Sequence, residues 1–362
     1  MGVHSGPMKN IILTTTALIL SLAIFALAQT PVSATKFPEP DFVLHDAKRK
    51  TEKPNVVFGP MHTDANGREI GTFAVYGGSS LVQVSSLSFS RDGKLLAVGS
   101  TPSIVDVWDM DSRAKVRSFA AGTTIALSPD GKWLATHGKK IEIWDVSRGK
   151  VRKSIEWGGD AEIRRMTFDS TGAMLLLTAD GSEDMVFDVA SGRKLATLQN
   201  TREAQFSVDG SLVIGGNGKH ITAWRTKDWS KVYDLPNGPD YVTPFAVHPN
   251  NDLVVVGGPN SARLIRLSSG QEVAKVGVGY TLFAGFNRDG SLIFTYASSG
   301  FAVWSSAGTQ VCGTPSLANA RNATISPDDH WLVAGPPNSG TDIMVWKLQS
   351  ILAGCGLPER EK

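Results

Sequence analysis

Residue types that could carry chemistry are thinly spread along this chain. His45, His62, His137, His220, His248 and His330 have no partner at i,i+4 and no carboxylate at a motif spacing, so they predict no metal centre. His248 and His330 fall in turn positions, where solvated side chains are expected. Asp180-Gly181-Ser182-Glu183-Asp184 has the acidic opening of a calcium loop. Met185 stands where that loop needs Gly, however, and Ser191 where it needs a bidentate Glu, so a charged hairpin tip is expected instead. Two cysteines, Cys312 and Cys355, are too few for a metal-ligand framework. There is no Gly-x-Ser-x-Gly elbow, phosphate loop or dinucleotide fingerprint. No cofactor is implied.

Charge and composition narrow the class. The 362 residues carry 36 Lys+Arg against 34 Asp+Glu, a formal charge of +2, with 41% hydrophobic residues. Such a chain can bury a large core and shows no electrostatic footprint for nucleic acid. Met8-Lys9-Asn10 opens an uncharged run, Ile11 to Leu27, followed by Ala26-Leu27-Ala28, with Val32-Ser33-Ala34 as a second small-residue exit. A basic start, an apolar stretch and an Ala-x-Ala exit predict a signal peptide over residues 1–28, or 1–34 with the second site. Initiation at Met1 or Met8 stays open, and so does an uncleaved membrane anchor. A periplasmic or secreted protein with no membrane span after cleavage is expected. Residues 29–66 contain Pro31, Pro38, Pro40, Pro54 and Pro60 and the basic cluster Lys48-Arg49-Lys50, a pattern that predicts an extended linker.

From residue 67 the chain repeats. Ser90-Arg91-Asp92-Gly93 is followed by Ser128-Pro129-Asp130-Gly131, Asp169-Ser170-Thr171-Gly172 and Ser207-Val208-Asp209-Gly210. His248-Pro249-Asn250-Asn251, Asn287-Arg288-Asp289-Gly290 and Ser326-Pro327-Asp328-Asp329 continue it, making seven turns near a period of about 39 residues. In phase with the turns stand Trp108, Trp144, Phe187, Trp224, Ile265, Trp304 and Trp346, each closing a β-branched strand. A bulky residue recurring on one strand packs one sheet against the next. Each repeat holds a strand before the turn, one after it, one ending at the bulky residue and a fourth after a second turn. The predicted fold is therefore all-β: a seven-bladed β-propeller of four-stranded antiparallel blades over residues 67–348, with a tail at 349–362.

These residues resemble the WD-repeat family. Trp108-Asp109 and Trp144-Asp145 reproduce its namesake dipeptide, Phe187-Asp188 approximates it, and the Ser-Pro-Asp-Gly turns match. The Gly-His dipeptide of the family is missing throughout, so its His–Ser/Thr–Asp–Trp network is expected to be absent and the Trp side chains to lack a polar partner. Gly67 to Phe73 matches Gly192 to Leu198 in phase, which predicts that Glu69 to Ala74 completes blade seven and closes the ring. In this geometry Cys312 and Cys355 fall on adjacent blades on one side of the disc. An oxidising compartment permits a bridge across the 43-residue separation, worth about 4 kcal/mol by loop entropy, with two unpaired thiols as the alternative.

The loops leading into the first strands converge on the channel mouth. They supply Glu162, Arg164, Arg202, Asp240, Tyr241, Tyr280, Asn319 and Arg321, types that serve as hot spots at interfaces. The resemblance, with no catalytic constellation in view, implies a non-enzymatic scaffold binding a protein or peptide there; the signal segment implies that it is exported, and a monomer is expected. The alternative is a periplasmic propeller enzyme, similar to lactonases or dehydrogenases, with its site at the same mouth.

Overall fold

The computed structural model describes residues 40–44, 55–58, 62–63, 69–70, 73–76 and 84–357, apart from 160, 181–182, 218, 237–244, 258–259, 278, 280, 298–299, 315–322 and 336–342. Seven four-stranded antiparallel sheets follow one another, each in chain order from first strand to fourth. Blade one is Val84–Phe89, Leu95–Ser100, Ile104–Asp109 and Ala114–Ala120. Blade two is Thr124–Leu127, Trp133–His137, Ile141–Asp145 and Lys150–Ile155, and blade three is Ile163–Phe168, Met174–Ala179, Asp184–Asp188 and Lys194–Leu198. Blades four, five and six begin at Glu203, Phe245 and Thr281 and end at Pro236, Val276 and Thr314. Each first strand touches the first strand of the next blade, and that of blade seven, Ala323–Ile325, returns to Val84–Phe89, so the ring is shut.

Closure uses a different segment from the one expected. The fourth strand of blade seven is Phe42–Leu44, inside the stretch expected to be a linker, in register Phe42↔Val345, Val43↔Met344 and Leu44↔Ile343. Glu69–Ile70 instead pairs with His62–Thr63, and Phe73–Tyr76 with Asn55–Phe58, two ladders of a nested hairpin. Burial supplies the reason. Phe42 and Leu44 alternate with Val43 so that both enter the core between blades seven and one, beside Val84, Trp108 and Val345. Arg113 of blade one stacks on the Phe42 ring at 4.5 Å, and Asp41 accepts the Lys347 N–H at 2.6 Å.

Apolar packing is organised seam by seam. Seven clusters of buried residues occupy the seven seams among the described residues, and each holds the bulky residue of the later blade against strands of the earlier one. Trp224, for example, meets Leu176, Val186 and Leu198 of blade three. Each such residue is worth about 1.5–3 kcal/mol of burial. In blades one to six the third and fourth strands slip register just before this residue, a bulge that turns it into the seam.

Two of the tryptophans do find polar partners, correcting the expectation from the missing Gly-His. Trp144 Nε1 donates to Thr136 Oγ1 at 3.0 Å and Trp304 Nε1 to Thr295 Oγ1 at 2.8 Å. In blade three Leu177 takes the hydroxyl's place in the ladder, where Phe187 has no N–H to satisfy.

The turns between first and second strands share one pattern. Ser90 Oγ donates to Asp92 at 2.6 Å, the Gly93 N–H bonds the Ser90 carbonyl at 3.0 Å, and the Leu95 N–H returns to Ser90 Oγ at 2.9 Å. Gly93 holds φ at 69°, while Asn251 and Asp329 accept the same region at 61° and 64°. Neighbouring turns are tied together. The Arg91 N–H reaches the Pro129 carbonyl, and the Arg288 N–H reaches Asp329.

His248 is not solvated as expected. It is buried, its Nδ1 accepts the Asn250 N–H at 2.9 Å, and its Nε2 lies 3.0 Å from the Gly290 carbonyl of blade six. These partners define a neutral ring protonated on Nε2. His330 is the exposed one, 2.6 Å from Asp328.

Beyond blade seven the chain forms a short helix, α1, Leu348–Gly354, within the expected tail. Its Leu348, Ile351 and Leu352 join the core between blades six and seven. Cys355, just past α1, is bonded to Cys312 in the fourth strand of blade six, with Cα atoms 5.5 Å apart.

Candidate functional site

Antiparallel order puts the loops into the first strands and those between second and third strands on one face of the disc. At the seam of blades three and four this face carries a charged cluster. Arg164 sits at a register slip between Ile163 and Arg165, so two arginines follow one another at the strand's start. Arg164 Nε lies 2.8 Å from Asp180 Oδ1, and its NH1 lies 3.6 Å from Glu203 Oε1. Its other terminal nitrogen donates to the Arg202 carbonyl. Arg165 reaches Glu203 Oε2 at 3.5 Å. The Asp180 N–H is bound by the Glu162 carbonyl at 2.9 Å.

Glu162, Arg164 and Arg202, expected on this face, therefore meet in one cluster. Asp240, Tyr241, Tyr280, Asn319 and Arg321 lie outside the described residues. Arg165, Asp180 and Glu203, which the expectation omitted, supply the ion pairs, and the buried Asp184 lies beside them.

Asp184 is the unusual member. It lies three residues before Phe187, a position occupied by Val105, Ile141, Ile221, Ala262, Phe301 and Ile343 in the other six blades, all buried. A carboxylate has replaced a core side chain. Its residue exposure is 0%, Oδ1 is 3.4 Å from the Ala179 N–H, and Oδ2 has no hydrogen-bond partner. Thr178 Oγ1, also buried, has none either, and the buried Glu203 Oε2 has only its ion pair with Arg165. Burial, and to a lesser degree the charge of Glu203, push the Asp184 carboxyl up to about 7, against a hydrogen bond from Thr201 and the pull of Arg164. Asp180 does sit exposed as a charged tip, but Asp184 is buried in the core beside it. Lining up the repeats on their bulky residues would have exposed this substitution. Reading residues 180–184 as one loop hid it.

The neighbouring seam adds His137 at the end of the second strand of blade two. Its ring meets Trp157 edge-on at 6.3 Å, and burial holds its pKa below the ordinary value. Among the described residues no group of three or more His, Cys, Asp or Glu side chains is gathered as metal ligands. The cluster presents guanidinium donors over buried carboxylates, suited to hydrogen-bonding carbonyl or carboxylate groups of a partner.

Comparison with known proteins matches residues 68–109 to the WD domain, G-beta repeat. That window includes the first three strands of blade one and its Trp108-Asp109. The chain carries a WD repeat there. The chain is 31% identical over 138 residues to pre-mRNA-processing factor 19 homolog 2 of Arabidopsis thaliana, covering 33% of the chain and 25% of that protein. It is 26% identical over 211 residues to the WD repeat-containing protein 91 homolog of Dictyostelium discoideum, covering 51% and 27% respectively. An uncharacterized WD repeat-containing protein of Synechocystis matches at 26% over 146 residues, covering 37% of the chain and 41% of that protein. The chain thus spans only about a quarter of the first two relatives' length. No helix among the described residues is long and apolar enough to cross a membrane.

Proposed function

We propose that this WD-repeat propeller is a non-enzymatic scaffold that binds a protein or peptide segment on the face bearing the loops into its first strands. The observation carrying this reading is the cluster at blades three and four, where Arg164 and Arg165 stand over Glu203 while Arg202 is exposed beside them. Arginines pre-positioned by buried carboxylates lose little freedom when a partner's carbonyls or carboxylates replace water. The sequence pattern extends the same proposal to Asp240, Tyr241, Tyr280, Asn319 and Arg321.

The test is partner capture with the full chain and two double variants. Arg165→Glu/Arg202→Glu on this face abolishes capture, whereas Lys94→Glu/Arg288→Glu on the turn face leaves it intact. Capture that survives the first variant, or is lost equally in both, removes the proposal.

The scaffold is further proposed to act outside the cytoplasm after loss of residues 1–28. The apolar run before Ala26-Leu27-Ala28 and the Cys312–Cys355 pair, suited to an oxidising compartment, support this. A mature N-terminus at Gln29 or Thr35 is expected by mass spectrometry, and a purified chain retaining Met8 to Ala28 contradicts it.

A further inference from the structure

The outer circumference of the disc is electrically lopsided. Fourth strands are the outermost in their sheets. Those of blades one, two and three hold Lys115, Arg117, Lys150, Arg152, Lys153 and Lys194, six cations and no carboxylate. Those of blades four, five and six hold Lys231, Asp234, Glu272 and Lys275, and the outer strand of blade seven holds no charge. A chain whose formal charge is +2 has therefore gathered an arc of positive charge on one side.

Blade two is the centre of this arc. Arg152 stacks over Trp133 at 4.4 Å, which holds its guanidinium on the rim. Arg117 of blade one clasps the Val146 and Ser147 carbonyls at 2.9 and 2.7 Å. Lys150 and Arg152 are exposed, and Val151 between them is 40% exposed. Arg148, in the preceding turn, pairs with Asp145, and Asp188 lies in the field of Lys153 and Arg193. Among the described residues no carboxylate forms an ion pair with Lys150, Arg152, Lys153 or Lys194, and no strand pairs with the outer edge of Lys150–Ile155.

Lysines on an exposed edge repel uncharged or basic strands and so guard against aggregation. The same charges admit an acidic strand. Blades four and five manage their edges with one lysine each and blades six and seven with none, so protection alone does not account for six on three neighbours. A rim that curves outward suits a flexible chain better than a flat sheet of charge. An open strand edge supplies backbone donors and acceptors that only another polypeptide can match. We infer that the outer edge of blade two is a docking site for an extended acidic polypeptide, which adds as a fifth strand while its carboxylates meet the cations of blades one to three. This surface is separate from the face proposed above and does not depend on it.

Labelled poly-L-glutamate titrated into the intact, disulfide-bonded chain tests the assignment by fluorescence anisotropy. Binding is expected to weaken about tenfold or more in Lys150→Glu/Arg152→Glu/Lys153→Glu, and to be unchanged in Lys231→Glu/Lys275→Glu on blades four and five. Lys150→Glu/Lys194→Glu, at two exposed positions, serves where the triple variant fails to fold. No binding by the native chain, or equal binding by all variants, overturns the site. Dextran sulfate or anionic-lipid vesicles bound as tightly as poly-L-glutamate overturn its assignment to a polypeptide. Hydrogen exchange at residues 150–155 is expected to slow on saturation, and exchange that stays unchanged overturns strand addition.

Discussion

The seams between blades three and four and between blades five and six are built from the same module yet respond to protons in opposite ways. At the first, Asp184 and Thr178 bring buried oxygens without a hydrogen-bond partner, and Glu203 a buried carboxylate, beside an apolar cluster of Leu176, Val186, Phe206 and Trp224. At the second, Ala262 occupies the position of Asp184, Trp304 is satisfied by Thr295, and the titratable group is His248 on the opposite face. Asp184 stands at about 7 in the folded chain, whereas an exposed carboxyl titrates near 4. The folded state holds the extra proton between those values. Its stabilisation is complete below about pH 4 and is lost as pH rises towards 7. Burial holds His248 below its ordinary value, so the fold prefers the neutral ring. That preference stabilises above about pH 6.5 and is lost as pH falls below it. A buried acid and a buried base make one ring sensitive at both ends, each through the group that burial forbids to ionise.

Breaking this contrast starts at the buried acid. Asp184→Asn is expected to stabilise the chain by about 3–4 kcal/mol at pH 8 and very little at pH 4, measured by denaturant unfolding at both values. An equal gain at the two pH values would show that the carboxyl's charge is not what strains the seam. Gly290→Ala should cost about 2–3 kcal/mol, because Gly290 holds φ at 75° and a Cβ there would run into the His248 ring. The same change at Gly158, also at positive φ but with open space around it, should cost less. Thr295→Val should cost about 1–2 kcal/mol by leaving the Trp304 N–H unpaired, while Leu177→Val in blade three leaves no polar group behind. His248→Ser, the residue found in four of the other turns, should cost about 1 kcal/mol at pH 8 and remove the loss of stability below about pH 6.5. Arg202→Ala should change stability by less than about 0.5 kcal/mol, since its side chain is exposed and only its carbonyl is used within the cluster.

Much of the architecture was legible because it is local and repeated. The Ser-x-Asp-Gly turn is a self-contained set of hydrogen bonds within six residues, and every Trp, Phe or Ile at the marked position enters a seam for the same reason. The site was less legible. Arg164 and Arg202 could be placed on the right face from the order of strands, but Glu203 and Arg165 become partners only because two blades press together. Phase similarity pointed to Glu69–Ala74 as the closing strand, yet similarity of pattern says nothing about which segment can bury its side chains. Phe42 and Leu44 can, in a gap between two blades that exists only once the ring has formed.

The sequence by itself determined the period, the turns, the number of blades and the side chain that locks each seam, since all follow from contacts spanning a few residues. Tertiary structure alone decided which strand closes the circle, that Asp184 lies in the core beside an exposed Asp180, and that His248 bonds the next blade. Those outcomes depend on desolvation and on neighbours dozens of residues away, and neither is encoded in any single repeat.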